Sequence, residues 1–167
     1  MPAINNKKRN RYPINSKPIS YLLLFPSFLL LVSSITVPLF ETYGFYKPAA
    51  AVHTALGLIC HQLPTRCLRI CGLPMGLCSR CFGIYLGLFI AGLYLTGERQ
   101  MPKGIYLKSI TLVTPLLIDT FTQLLKLRTS NNDMRLLTGL MFGLGMGMLI
   151  SRMMLPFYEK GRILVKN

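Results

Sequence analysis

All five cysteines of this 167-residue chain fall between residues 60 and 81, and three of them have the spacing of a reactive site. Cys78 and Cys81 form a Cys-x-x-Cys pair, which lets two thiols share a metal ion or close a redox disulfide. Cys60 and His61 are separated from Cys78 by 17 and 16 residues, a separation similar to that of a zinc ribbon. The predicted metal ligands are therefore Cys60, His61, Cys78 and Cys81.

The identity of the metal follows from the donor set. Thiolate and imidazole favour zinc, whereas copper or an iron–sulfur cluster accepts similar donors. Because adjacent residues rarely aim at one ion, His61 is either the fourth ligand, a residue supporting a ligand, or a general base. Arg80 and the start of a helix after Cys78 would favour the thiolate form. Cys67 and Cys71 are interpreted as an accessory pair that forms a disulfide in an oxidising compartment.

A second polar group is predicted near the end of the third apolar segment. Asp119 is the only acid within an apolar run, and Gln123 follows one helical turn later. Asp119 is either a structural ion-pair partner of Arg80 or Arg135, or a proton relay or ligand-binding acid. The catalytic candidates are His61, Asp119 and Arg80. The predicted polar pocket consists of Gln62, Arg66, Asp119, Gln123, Asn131 and Arg135, although Asn131 could instead cap the next helix.

The composition is that of a membrane protein, with 51% hydrophobic and 14% charged residues and a mean hydropathy of +0.45. Four apolar runs are long enough to span a bilayer, namely residues 18–40, a run between Arg80 and Glu98, a run between Lys108 and Lys126, and 136–158. Residues 48–60 are too short to span. The predicted fold class is an all-α membrane protein with four transmembrane helices plus a short interfacial helix before the Cys-rich loop 60–81.

The formal charge of +14 belongs to segments that flank apolar runs, so it predicts contact with the lipid bilayer and not with nucleic acid. Residues 1–17 and 159–167 are predicted basic cytoplasmic tails around a membrane domain of residues 18–158. Twelve of the 19 basic residues then lie on the side of the termini, which favours cytoplasmic termini in a multi-pass protein of a cell membrane. The Cys-rich loop would face outward.

Small residues repeat every four positions in the second and fourth spans. Gly83 and Gly87 in one, and Gly139, Gly143 and Gly147 in the other, form ladders that allow close helix contact. These two spans are predicted to pack together. The same ladders are alternatively a docking surface for another membrane protein.

The motifs resemble a family of small prokaryotic membrane proteins whose function is not established. Its signature is Cys-His-Gln, Pro-x-Arg and Cys-x-Arg-Cys-x-Gly-Ile-Tyr-x-Gly, which here are residues 60–62, 64–66 and 78–87. The resemblance covers about residues 50–150 and continues through Asp119, Gln123 and Arg135. It implies a polytopic membrane protein with a shared polar site. The family pattern does not require a cysteine at Cys67, so Cys67 and Cys71 stand apart from that site.

Three functions fit these residues. The first is a metal-binding membrane protein, with zinc as the leading metal. The second is a membrane thiol–disulfide oxidoreductase coupled to a quinone, by analogy with four-span enzymes that carry an outward Cys-x-x-Cys. The third is a non-enzymatic assembly or transport factor. The chain has no P-loop, Rossmann fingerprint or serine elbow, which argues against nucleotide-driven and serine-hydrolase chemistry.

Overall fold

In the computed structural model, which describes residues 17–97, 104–127 and 129–164, the chain forms five helices and one two-stranded antiparallel ribbon. The helices are α1 (Lys17–Thr42), α2 (Tyr46–Gly57), α3 (Ser79–Gly97), α4 (Ile105–Leu124) and α5 (Asn132–Leu164), and the strands are β1 (Cys67–Ile70) and β2 (Leu73–Cys78). Within these described residues, α1, α3, α4 and α5 are long and apolar enough to cross a membrane. The predicted fold class is confirmed.

The helix boundaries differ most from prediction in α5. The apolar run predicts a span from residue 136, but helical hydrogen bonding already begins four residues earlier. The Arg135 amide donates to the Asn131 carbonyl at 3.0 Å, so Asn131 occupies the position just before the helix. At its other end α5 continues to Leu164, into the segment predicted as a tail. The other predicted tail (residues 1–16), the turn at 98–103, and residues 128 and 165–167 lie outside the described residues.

The α3 and α5 helices form a parallel pair built on the two glycine ladders. Gly83 and Gly87 lie against backbone atoms of Leu136 and Leu140, and Gly139 lies against the Arg80 carbonyl, so closely that an added Cβ would overlap them. Such contact is possible only where neither helix carries a side chain. The predicted close pairing of these spans is therefore confirmed. Because the pair is parallel, the N-termini of α3 and α5 lie side by side at one end of the bundle.

This packing corrects one expectation about the glycine ladders. A surface that docks another protein must be open, yet the ladder residues are buried against each other inside this chain. Gly147 in turn lies against the Ala91 Cβ. The two ladders are therefore internal packing surfaces and do not form a docking site for a membrane partner in this structure.

The segment between α2 and α3 contains a β-ribbon that the sequence analysis did not predict. After a single turn of 3-10 helix at Pro64–Arg66, β1 and β2 pair around a two-residue turn, Cys71-Gly72. Both turn residues have positive φ, 53° and 80°, as a type I′ hairpin requires. The ribbon aligns Cys67 opposite Cys78. β2 ends at Cys78, and α3 begins at the next residue without a connecting loop.

The ribbon is fixed against α1. The Leu77 amide donates to the buried Ser34 hydroxyl of α1 at 3.0 Å. A Cβ at Gly76 would stand 2.6 Å from Leu56 Cδ1 and 3.0 Å from Val37 Cγ2, so glycine lets β2 pass between α1 and α2 without displacing these side chains. This contact sets the depth of Cys78 relative to the bundle.

Candidate metal centre

Three different elements deliver the cysteines of the site. Cys60 follows the C-terminus of α2, where its amide donates to the Leu56 carbonyl at 3.1 Å. Cys78 is the last residue of β2, and Cys81 lies in the first turn of α3. Their three sulfur atoms lie within 4.8 Å of one another. The sequence analysis expected these three residues to meet, and the structure brings them together.

The cluster has an apolar support. Cys60 is 6% exposed and packs in a core with Val37, Leu56 and Leu77, while Cys78 and Cys81 are half-buried at its edge. Apolar walls of this kind hold side chains in fixed rotamers and limit access of water. The thiols are thus arranged by packing on one side and are accessible on the other.

Hydrogen bonds in the cluster favour a negative charge on Cys60. The Cys78 thiol, the Cys81 thiol and the Cys78 amide donate to the Cys60 sulfur, the amide at 3.3 Å, and together they lower the pKa of Cys60 well below its ordinary value. Hydrogen bonds to the charged form stabilise that form. Cys60 is therefore the group of the cluster that gives up its proton first, and a thiolate is the form that binds metals or attacks disulfides.

The sulfur geometry fits a metal ion. Zn–S bonds of about 2.3 Å in tetrahedral geometry place sulfur atoms about 3.8 Å apart. The observed upper limit of 4.8 Å exceeds that separation by an amount that side-chain rotation can supply. Three thiolates would hold such an ion and leave a fourth position. Zinc, copper(I) and iron–sulfur clusters all use donors of this type.

The two residues after Cys60, His61 and Gln62, are not among the three sulfur donors that lie together. His61 is exposed, and its ring is not among the three donors that lie together. Its roles as fourth ligand or general base stay predictions. The Gln62 amide donates to the carbonyls of His53 and Gly76, each at 2.8 Å. Gln62 thus joins α2 to β2 and positions the chain around Cys60, outside the polar cluster of Asp119.

Cys67 and Cys71 are separate free thiols and do not form the accessory disulfide considered from the sequence. Cys71 is exposed at the ribbon turn, whereas Cys67 is 3% exposed and its thiol donates to the Leu63 carbonyl at 3.3 Å. Burial, followed by the charges of Cys78 and Cys60, raises the pKa of Cys67 to about 11. Cys67 is therefore a neutral thiol at physiological pH, even though it lies across the ribbon from Cys78.

Asp119 forms the centre of a second polar cluster. Its Oδ2 atom accepts hydrogen bonds from Arg80 Nη2 at 2.9 Å and from Gln123 Nε2 at 2.6 Å. Arg80 is next to the cysteine cluster in the first turn of α3, so the ion pair ties α4 to the same end of α3. Of the two partners considered for Asp119, the structure selects Arg80. A buried carboxylate at 7% exposure requires such a partner.

Arg135 and Arg66 lie beside this cluster. Arg135 Nη1 donates to the Asn132 side-chain oxygen at 3.2 Å, and Asn132 Nδ2 donates to the carbonyls of Thr65 and Cys67 at 3.3 and 3.4 Å. The bridging role of Asn132 was not predicted, because no local signal announces a contact 67 residues away. Arg66 is exposed. Asn131 is exposed as well, and its carbonyl accepts the hydrogen bond from the Arg135 amide in the first turn of α5.

A groove of about 390 Å³ opens between α4 and α5, with Asp119 in its wall. Its walls are mostly apolar, with Asp119, Thr122 and Thr138 as polar groups; the remaining residues are Pro115, Ile118, Leu127 and Met134. This volume lies in the range of small-molecule sites.

The fold and the site together define a four-span membrane protein with a cluster of three cysteines where α3 and α5 begin. The chain belongs to the DUF2085 family of predicted membrane proteins, whose model matches residues 60–149. That range contains all five cysteines and the polar cluster around Asp119. The resemblance stated from the motifs is thereby confirmed at the level of the family.

Two archaeal proteins are similar to this chain. The uncharacterised protein MJ1492 of Methanocaldococcus jannaschii is 36% identical over 134 residues, which cover 74% of this chain and 85% of that protein. An uncharacterised protein of Methanothermobacter thermautotrophicus is 42% identical over 92 residues, covering 54% and 83%. No solved structure matches the chain.

Proposed function

We propose that this protein binds a transition metal ion, zinc first, between Cys60, Cys78 and Cys81 at the outer face of a cell membrane. The observation that supports this function is the convergence of three sulfur atoms within 4.8 Å from three separate elements. Chance rarely brings three cysteines from separate elements of a membrane protein within reach of one another. Three protein donors plus one open position is the pattern of catalytic zinc sites, where water or substrate occupies the fourth place.

The metal would act on whatever reaches the fourth position. When bound, zinc polarises a ligand or lowers the pKa of a bound water. The chain itself contributes thiolates held by the apolar core, and Arg80 provides positive charge next to them. His61 is exposed and directly follows Cys60, and it would approach from the aqueous side as a fourth ligand or as a base.

Metal analysis of the purified full-length protein tests the proposal. We expect about one equivalent of zinc, and less than about 0.2 equivalent in Cys78→Ser or Cys81→Ser, because a site with two thiolates binds far more weakly. Cys71→Ser is the matched control, since Cys71 is exposed at the ribbon turn, and should retain the metal. Wild-type protein with less than about 0.2 equivalent of any transition metal would contradict a metal site at these three cysteines.

The pH dependence of metal retention provides a second readout. Protons compete with the metal for the thiolates, so acidification should release the ion and a return to neutral pH should restore binding. The same elemental analysis distinguishes zinc from copper, and an iron–sulfur cluster would add visible absorption with sulfide. Release that is independent of pH would show that the metal is held by groups other than thiolates.

A second candidate is a thiol–disulfide oxidoreductase coupled to a quinone. Two observations favour it: the thiols are close enough to pair after small rotations, and the apolar groove between α4 and α5 has the volume for a quinone ring beside Asp119. Two thiols would lose two electrons and two protons to form a disulfide. The quinone would take up the two electrons and the two protons and become a quinol. Asp119 would then act as a proton carrier at the groove wall.

Alkylation with and without reductant discriminates between the two functions. The oxidoreductase hypothesis expects a disulfide among Cys60, Cys78 and Cys81 after incubation with a short-chain quinone, reversed by the quinol or dithiothreitol. The metal hypothesis expects three free thiols that alkylate only after a chelator removes the ion. The assembly or transport hypothesis loses its support, because the glycine ladders on which it depended are packed against each other.

A further inference from the structure

Three arginines, Arg66, Arg80 and Arg135, come from three elements that meet where α3 and α5 begin. The Ser79 hydroxyl, next to Arg80, donates to the Arg66 carbonyl at 2.9 Å. Gly139, one helical turn after Arg135, lies against the Arg80 carbonyl. Arg66, Arg80 and Asp119 all act electrostatically on Arg135. These contacts define the arginine cluster, which consists of Arg66, Arg80 and Arg135.

Asn132 holds the cluster together from the side of α5. Its side-chain oxygen accepts from Arg135, and its amide donates to the Thr65 carbonyl immediately before Arg66. The side chain of Asn132 therefore links Arg135 to the backbone on either side of Arg66, a second residue of the same charge. A fold that brings like charges together in this way needs a compensating negative charge.

The described residues of the cluster supply only part of that charge. Asp119 is the one carboxylate in contact, through Arg80, which leaves two positive charges unmatched. A zinc ion held by three thiolates would contribute one net negative charge, so one positive charge would still remain. The adjacent N-termini of α3 and α5 add further positive potential at the same end.

Unused hydrogen-bond donors give a second, independent observation. In the described part of the chain, the Nε atoms of both Arg80 and Arg135 are buried and have no hydrogen-bond partner. Such donors are costly to leave unpaired in a folded protein. The Arg80 side chain also keeps 24% of its surface exposed, so a small solute can reach the cluster.

We propose that the arginine cluster is a binding site for a phosphate group, at the same end of the bundle as the cysteines. Phosphate offers several acceptor oxygens and up to two negative charges, which match planar guanidinium donors that surround it. The group belongs either to a soluble phosphate compound or to the headgroup of an anionic lipid, since the cluster lies where spans begin. The site is formed by the arginines and needs no metal, so it stands or falls separately from the function proposed above.

Binding of inorganic phosphate to chelator-treated, full-length protein in a non-ionic detergent tests the site. Thermal midpoints are compared in phosphate and chloride at equal ionic strength. We expect stabilisation by phosphate in the wild type, and an apparent affinity about tenfold weaker in Arg135→Gln, as loss of one charged hydrogen-bond donor predicts. Arg69→Gln is the matched control. Arg69 is exposed on β1 and lies outside the cluster, so this substitution removes the same charge without removing a cluster residue.

Mixed micelles with phosphatidylglycerol or phosphatidylcholine form the lipid arm of the experiment. Stabilisation by phosphatidylglycerol alone, lost in Arg135→Gln, would support the site with a lipid as its ligand. Equal effects of phosphate and chloride without any phosphatidylglycerol effect, or equal losses in Arg135→Gln and Arg69→Gln, would mean an adventitious ion only and would overturn the proposal. If Arg135→Gln does not fold, Arg66→Gln, at an exposed position, carries the same comparison.

Discussion

At the scale of single residues, the five cysteines differ in environment far more than in sequence. Cys60 is a buried thiol whose charge is stabilised by two neighbouring thiols and an amide. Cys67 is also buried, but it donates to a carbonyl and is kept neutral by desolvation. Cys71, in contrast, is exposed at the turn of the ribbon. Reactivity should therefore be graded along a segment of only 22 residues.

Alkylation at different pH values tests this grading. At neutral pH, Cys71 should react with iodoacetamide within minutes and Cys67 should stay unmodified, as measured by mass spectrometry of peptides. The pKa of Cys67 is raised from 9.0 to about 11, so the stability contributed by its neutral thiol is present below pH 9 and lost as pH rises through about 11. Modification of Cys67 should appear only in that upper range. Equal rates for both residues at pH 7 would contradict the assigned burial.

At the scale of elements, the parallel α3 and α5 pair is the support of the site. It places Cys81, Arg80 and Arg135 on adjacent first turns, and its spacing is set by glycine. Because the helix contact is backbone on backbone, no rotamer change can make room for an added methyl group. A small change far from the cysteines should therefore disturb them.

Gly87→Ala tests the contact between α3 and α5. The new methyl group would meet the Leu140 carbonyl and the backbone of Leu144, and overpacking of this kind costs about 1–3 kcal/mol. We expect a thermal midpoint several degrees lower than that of the wild type, together with weaker metal retention. Gly97→Ala on the same helix has nothing within 4 Å and should leave both unchanged. Identical behaviour of the two variants would show that α3 and α5 are not in close contact.

At the scale of the whole molecule, four spanning helices put the beginning of α1 and the end of α5 on one side and the ribbon on the other. The excess of basic residues on the side of the termini predicts that the ribbon faces outward. The three clustered cysteines, the arginine cluster and the polar residues of α4 are all at the ribbon end. The side of the membrane on which this end lies therefore determines which metals and anions reach it.

Labelling with a membrane-impermeant maleimide measures this orientation directly. Cys71 should be modified in intact spheroplasts without lysis, because it is exposed at the tip of the ribbon. The signal should disappear in Cys71→Ser, which identifies the labelled residue. Labelling that requires inverted vesicles would reverse the predicted topology and would place the metal centre in the cytoplasm.

The sequence by itself determined the membrane class, the four spans, the short helix before the cysteines and the pairing of the glycine-bearing spans. These features depend on composition and on periodic patterns within about 25 residues, which hydropathy and helical spacing capture directly. The meeting of Cys60 with the Cys-x-x-Cys pair was also predicted from spacing, because the separation is similar to that of a zinc ribbon.

Only the tertiary structure decided the partners. The choice of Arg80 for Asp119, the use of Gln62 as a strut between α2 and β2, and the bridge from Asn132 to Thr65 join residues from 9 to 67 positions apart. The ribbon was missed because Cys67 and Cys71 were interpreted as an accessory disulfide pair. The structure instead places Cys71, with a φ of 53°, in the turn that joins β1 to β2. Such contacts arise from how helices and strands pack, and no local pattern encodes them.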